Sequence, residues 1–193
     1  MKNASNQPII AFETVQMWEI WLQEHHAETE GVWLKLAKKG TGIVSISYAE
    51  ALECAICYGW IDGQKASFDG EFWLQKFTPR RSKSIWSQVN CGKATALIAE
   101  GRMQPAGLVQ VELAKADGRW DSAYASQSTI IVPDDLQSEL DKNPQAQEFF
   151  STLNSANRYA ILFRIQTAKK AETRAARIQK FVEMLARNEK MHP

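Results

Sequence analysis

Thr78-Pro-Arg-Arg-Ser-Lys-Ser-Ile-Trp-Ser87 is the densest run of chemistry-bearing side chains in the 193-residue chain. Two guanidinium groups (Arg80, Arg81), hydroxyls (Ser84, Ser87) and an indole (Trp86) precede a stretch of helical spacing. Arginine forks beside the free N–H groups of a helix start are what a bound anion or carboxylate requires. Just upstream, Trp60-Ile-Asp-Gly63 would add an indole and the Asp62 carboxylate, so the predicted groove also suits an amphipathic or cationic ligand. Its residues are Trp60, Asp62, Arg80, Arg81, Ser84, Trp86 and Ser87. In the competing reading Arg80 and Arg81 pair with acids in the first third of the chain while Trp86 fills the core. Loops that follow rigid strands carry function disproportionately, which keeps the groove in play. Should the groove instead serve a small-molecule enzyme, Asp62 would be its acid or base, a role that needs burial away from Arg80 and Arg81. No residue is assigned as catalytic.

Other constellations are weaker. Cys54-Ala-Ile-Cys57 has redox spacing, yet a reactive thiolate of that type sits at a helix N-terminus, and the helix start marked at Ser47 puts both cysteines in later turns. They read as small core hydrophobes. A zinc site would need Cys91, His25 or His26 to join them, and these spacings match no ligand pattern. No metal and no cofactor is expected. His25 and His26 fall where a helix should end, a place that suits imidazolium. Gly92-Lys93-Ala94-Thr95 resembles part of a phosphate loop, but Ser87 stands where a glycine is required and no strand leads in. There is no Gly-x-Ser-x-Gly, and His192 lies in a tail expected to fray. Glu172, Arg174 and Arg177 read as a structural clamp in which Glu172 pairs with the neighbouring arginines.

The elements that must position these groups follow from periodicity. Val15, Trp18, Leu22 and His25 recur at helical spacing, so residues 14–27 predict an amphipathic helix ending at Thr29-Glu30-Gly31. Val32 to Ala37 predicts a strand. Ser47-Tyr-Ala-Glu50 is a capping box, opening a helix that turns Leu52, Ala55 and Ile56 inward and stops at Gly59. Residues 60–68 and 72–78 predict a β-hairpin around Asp69-Gly70, a dipeptide that favours two positive φ angles. Helices follow, the first with its cap at Ser87 or Asn90 and a stop at Gly101, the second from Pro105 to Asp117-Gly118, then a loop over 119–132. Four more helices open at Pro133-Asp134, Asn143-Pro144, Ser155 and Ala171. The expected fold is α+β: a small antiparallel sheet with packed helices in residues 1–120, a connecting loop over 121–132, and an all-helical part over 133–193.

Composition fits that plan. Apolar residues make up 45% and charged residues 23%, an ordinary globular balance, and the chain is long enough to bury a core without disulfides. All seven Trp fall in the first 120 residues, which places the aromatic core in the front part. The net charge of +1 conceals blocks. Residues 64–104 and 158–193 are basic, residues 1–63 and 105–157 acidic, so the blocks are expected to pair across the fold and no nucleic-acid surface is expected. Residues 1–13 lack the apolar run of a secretory signal, and no stretch is long and apolar enough for a membrane span. With an odd number of cysteines, the cytoplasm is the expected location.

Taken together, several segments are similar to the YdeI/OmpD-associated (OmdA), bacteriocin-protection family. They are Trp33-Leu34, the segment 51–63 ending in WIDG, TPRRSKSIWS at 78–87, EGRM at 100–103, AKADGRW at 114–120 and AKKAETRAARI at 168–178. They cover nearly the whole chain. The resemblance implies protection against bacteriocins or cationic antimicrobial peptides through an envelope-associated partner. The expectation is a cytosolic binding or stress-protection protein for a small anionic or amphipathic ligand or peptide, with the small-molecule enzyme as the alternative.

Overall fold

The computed structural model of the chain describes residues 7–28 and 30–193. Four strands, β1 (Ile9–Ile10), β2 (Val32–Ala37), β3 (Trp60–Ser67) and β4 (Phe72–Pro79), form one sheet in the order β1-β2-β4-β3. The hairpin β3–β4 is present, and β2 lies antiparallel on β4 with Val32 opposite Phe77 and Leu36 opposite Trp73. One strand departs from the expected antiparallel pattern. Ile9–Ile10 pairs parallel with Trp33–Leu34, and two residues are too few for alternation to mark a strand in sequence.

The hairpin turn also closes differently from the Asp69-Gly70 expectation. Neither residue adopts a positive φ. Instead an Asp69 carboxylate oxygen accepts the backbone N–H groups of Glu71 (2.9 Å) and Phe72 (2.7 Å), so the side chain supplies the turn that positive φ angles would have made. Further along, the pairing slips between Asp62 and Lys65, leaving Gly63 and Gln64 against the single residue Lys76. Gln75 is fully buried, and its amide donates to the Gly63 and Gln64 carbonyls at 3.0 and 3.3 Å, which satisfies the acceptors that such a bulge frees.

Helices α1 (Val15–His25) and α2 (Tyr48–Cys57) cover one sheet face. Thr14 caps α1 by accepting from Met17 N–H. At α2 both halves of the Ser47–Glu50 capping box form, and the Ser47 hydroxyl together with its backbone N–H holds the Glu50 carboxyl below its ordinary range. Trp18 and Leu22 from α1 and Leu52, Ala55 and Ile56 from α2 meet Val32, Leu34, Leu36 and Phe77, all buried. Trp18 donates its indole N–H to the Ala51 carbonyl (3.1 Å), which ties the two helices. Gly59, at φ 76°, ends α2 and turns the chain into β3.

Next come α3 (Gln88–Ala99) and α4 (Pro105–Ala116), of which α3 starts directly after Ser87, the earlier of its two expected caps. Inside α4, Gly107 is required by a close approach: a Cβ there would collide with the Cys57 carbonyl at the end of α2. The chain divides into two units, residues 1–86 with 90–123, and residues 87–89 with 124–193. The second holds α5 (Asp134–Asp141), α6 (Pro144–Thr152), α7 (Ser155–Gln166) and α8 (Ala171–Ala186). Its own core includes Leu136, Leu140, Phe150, Ile161, Leu162, Ile165, Phe181 and Leu185. Helix α7 opens at Ser155 as expected, capped by the Asn154 side chain, which accepts from Asn157 N–H. The terminal tail is tied down where fraying is expected: buried Asn157 accepts from His192 N–H (2.8 Å) and donates to its carbonyl (3.3 Å). Among the described residues no helix is long and apolar enough to cross a membrane.

Candidate functional site

The seven residues of the predicted groove lie in three settings. Trp60 is fully buried; its indole N–H donates to the His26 carbonyl (3.0 Å) and its ring meets Trp21 edge-on at 5.8 Å. Asp62 lies on the same sheet face, half-buried, accepting the Tyr48 hydroxyl at 2.8 Å. Ser87 bridges to Tyr124 and groups with the second unit. Only Arg80, Arg81, Ser84 and Trp86 are brought together, in the loop after β4. There the Arg80 guanidinium lies 3.4 Å from the Trp86 ring centroid and donates to the Ile85 carbonyl, while Trp86 packs on Trp120 at 5.0 Å. Arg80 and Trp86 are only 6% and 2% exposed. They hold the loop from inside.

A second buried arginine, absent from the predicted set, completes that scaffold. Arg119 donates to the Ser84 carbonyl (2.9 Å) and pairs with Asp117 (2.7 Å). Arg81 points no comparable contact inward: it is exposed, with its backbone N–H on the Ser84 hydroxyl. A loop fixed this firmly presents Arg81, Ser82 and Lys83 to solvent.

The remaining motifs resolve as follows. Cys54 and Cys57 are buried in the later turns of α2, and burial pushes their thiols up to about 12 and about 11. Thiols held protonated are poor nucleophiles and poor metal ligands. His25 meets Glu28 at 2.6 Å and stacks on Trp21, and Lys93 binds Glu53 at 2.8 Å. No group of three His, Cys, Asp or Glu among the described residues is placed to hold a metal ion.

The Arg174 cluster differs most from its sequence reading. Glu172 is exposed, and the partner of Arg174 is Asp135 on α5, with hydrogen bonds of 2.5 and 2.9 Å. Arg174 also donates to the Ile165 carbonyl and Arg177 to the Arg164 carbonyl, so both arginines fasten α8 to the end of α7. The Arg174 hydrogen bonds hold the Asp135 carboxyl below the usual carboxylate range, against a smaller desolvation effect.

Beside this pair a groove of about 550 Å3 opens between α5 and α8. Ala171, Ala175, Ala176 and Ile178 give it an apolar wall, and Asp135, Glu139, Arg174 and Gln179 its polar groups. Small residues one turn apart on α8 leave the space that larger side chains would fill. That spacing was the available signal; Asp135 and Glu139, about 40 residues earlier in the chain, belong to no motif. A smaller groove of about 280 Å3, lined by Thr129, Ile130, Ile131, Leu162 and Gln166 among others, shares Arg174 with the first.

Comparison with protein families divides the chain along its length. Residues 10–110 match a domain of unknown function (DUF8412). Residues 129–188 match the family described as bacteriocin-protection, YdeI or OmpD-associated. The resemblance read along nearly the whole sequence is thus carried by the C-terminal helices, with TPRRSKSIWS inside the other family's span. No curated protein and no solved structure matches.

Proposed function

Because the chain belongs to the DUF8412 family and closes on a YdeI- or OmpD-associated, bacteriocin-protection segment, we propose that it is a stress-protection protein that binds cationic amphipathic peptides. The seat is the α5–α8 groove. One observation carries this reading: the groove lies wholly within the matched residues and combines an alanine-rich wall with carboxylates at its edge. An amphipathic helix laid in a groove needs an apolar floor for one face and opposite charge for its rim. Helix α5 supplies the charge, with Asp134, Asp135, Glu139 and Asp141 among eight residues and no basic one. The volume falls in the range of pockets that take a small ligand or a few side chains, roughly 300–1,000 Å3.

The same reading keeps the cytoplasm as the place of action, which cell fractionation tests. Binding is tested by fluorescence anisotropy with a labelled Lys/Leu amphipathic helix, beside a neutral helix of the same length. Ala175 is exposed and lines the groove, so Ala175→Trp fills the seat without touching the core. The expected result is a loss of at least about tenfold in affinity, or 1.4 kcal/mol, with unchanged thermal stability. Equal binding by Ala175→Trp, or equal binding of the neutral helix, removes the groove from the function.

A further inference from the structure

Resting on the peptide-binding reading, we infer that the smaller groove continues the α5–α8 groove and seats a short neutral, apolar tail carried at one end of the cationic helix. The two grooves, of about 280 and 550 Å3, share Arg174 as a lining residue. Both lie within residues 87–89 and 124–193. One stretch of chain borders them in turn: Ile130, Ile131 and Pro133 edge the smaller groove, and Asp135 and Glu139 the larger. Along that stretch the rim changes from apolar to acidic.

The chemistry of the lining says what each groove takes. Among the described residues no acid lines the smaller one; Arg174 is its single charged group, beside uncharged Thr129 and Gln166 and apolar Ile130, Ile131 and Leu162. The Arg174 charge is already balanced there, because the guanidinium bonds the Asp135 carboxylate and the Ile165 carbonyl. A charged side chain would give up its hydration in that groove for no opposite charge of its own, whereas an apolar one exchanges water for the isoleucines and Leu162. The larger groove, with Asp135 and Glu139, prefers the reverse. A peptide charged along its whole length leaves the smaller groove empty, and a wholly apolar one leaves the carboxylates unused.

Ile131 shows that the smaller groove is open to such a tail. At 80% exposed it is the most solvent-open large apolar side chain among the described residues, and it stands on the rim. A lone exposed isoleucine needs no explanation; one beside a groove without acids, next to a groove that has them, marks a place for apolar contact. The wall behind it is preformed. Ala125 N–H donates to the Gln166 side-chain carbonyl at 3.2 Å, and the Ala125 carbonyl accepts the Tyr159 hydroxyl at 3.3 Å, which fastens this stretch to α7. Ile130 N–H then closes a turn on the Ser126 carbonyl at 2.9 Å. A seat held open in this way adds little ordering cost when a ligand enters.

The test is anisotropy of the full chain with the labelled Lys/Leu helix, bare or extended at either end by a Leu/Ala tail of about four residues, roughly 13 Å when extended. Serine and lysine tails of the same length are the controls. The Leu/Ala tail at one of the two ends should tighten binding at least about fivefold, and the serine and lysine tails should not. Ile131→Ser should remove most of that gain and leave the bare helix at wild-type affinity, while Ile131→Leu should keep it. The side chain is exposed, so folding is undisturbed, which melting temperatures confirm. No gain from a Leu/Ala tail at either end, an equal gain from a serine or lysine tail, or a gain undiminished in Ile131→Ser overturns the inference. The two readings fail separately. A bare helix indifferent to Ala175→Trp removes the larger groove, whereas a missing tail gain, with the bare helix still sensitive to Ala175→Trp, removes only the tail seat.

Discussion

Cys54 and Cys57 illustrate how burial sets chemistry one residue at a time. Burial pushes their thiols up from an ordinary 9.0 to about 12 and about 11, chiefly through desolvation. A group whose pKa is raised on folding stabilises fully below the unfolded value and loses that contribution as pH climbs. Stability should therefore fall from about pH 9 upward, and the fall measured by denaturant unfolding should be shallower in Cys54→Ala than in the wild type. Identical slopes would refute the burial argument. Asp135 works in the opposite sense: its carboxyl is lowered by Arg174, so its contribution is present above the unfolded value of 3.8 and is lost as pH drops. With the two side chains 28% and 46% exposed, solvent screens the pair, and Asp135→Asn should cost no more than about 1 kcal/mol at pH 7. It should also flatten the acid limb of the stability curve.

Among the elements, α2 and α4 depend on one another at a single crossing. The Cys57 carbonyl accepts Gln104 N–H at 3.1 Å, and Gly107 lets the helices approach so closely that a methyl group there has no room. Backbone atoms cannot step aside as a flexible side chain does, so Gly107→Ala should destabilise by about 1–3 kcal/mol, read as a drop in denaturation midpoint. Ser47→Ala tests the start of α2 and should cost about 1 kcal/mol, because it leaves the Glu50 N–H without its cap. Both helix starts and stops could be read from sequence, since caps act over three or four residues. The crossing could not: Gly107 sits mid-helix, where sequence counts it only as a weak helix former, and the reason for it lies on another element.

At the scale of the whole molecule, two core clusters share no residue, one around Trp18, Leu34, Phe77 and Trp86 and the other around Leu136, Ile161 and Phe181. Separate cores unfold as separate cooperative units, so calorimetry should resolve two transitions, and a stabilising peptide in the α5–α8 groove should raise only that of residues 124–193. A single transition shifted as a whole would show one cooperative unit instead. By itself the sequence determined the α+β class, the run of helices after Pro133, the capping box at Ser47 and most inward-facing residues, because each follows from spacing within a few residues. The candidate site was legible only in part. TPRRSKSIWS was visible as a cluster, and the Arg174 region as a clamp, but which side chains turn inward and who pairs with whom are long-range matters. Tertiary structure alone decided that Arg80 stacks on Trp86, that Arg174 takes Asp135 from 39 residues away, and that Ile131 and Gln166 line one groove. Local order is fixed by neighbours along the chain, whereas a groove or a long-range ion pair exists only once distant segments are packed, and no spacing rule encodes that distance.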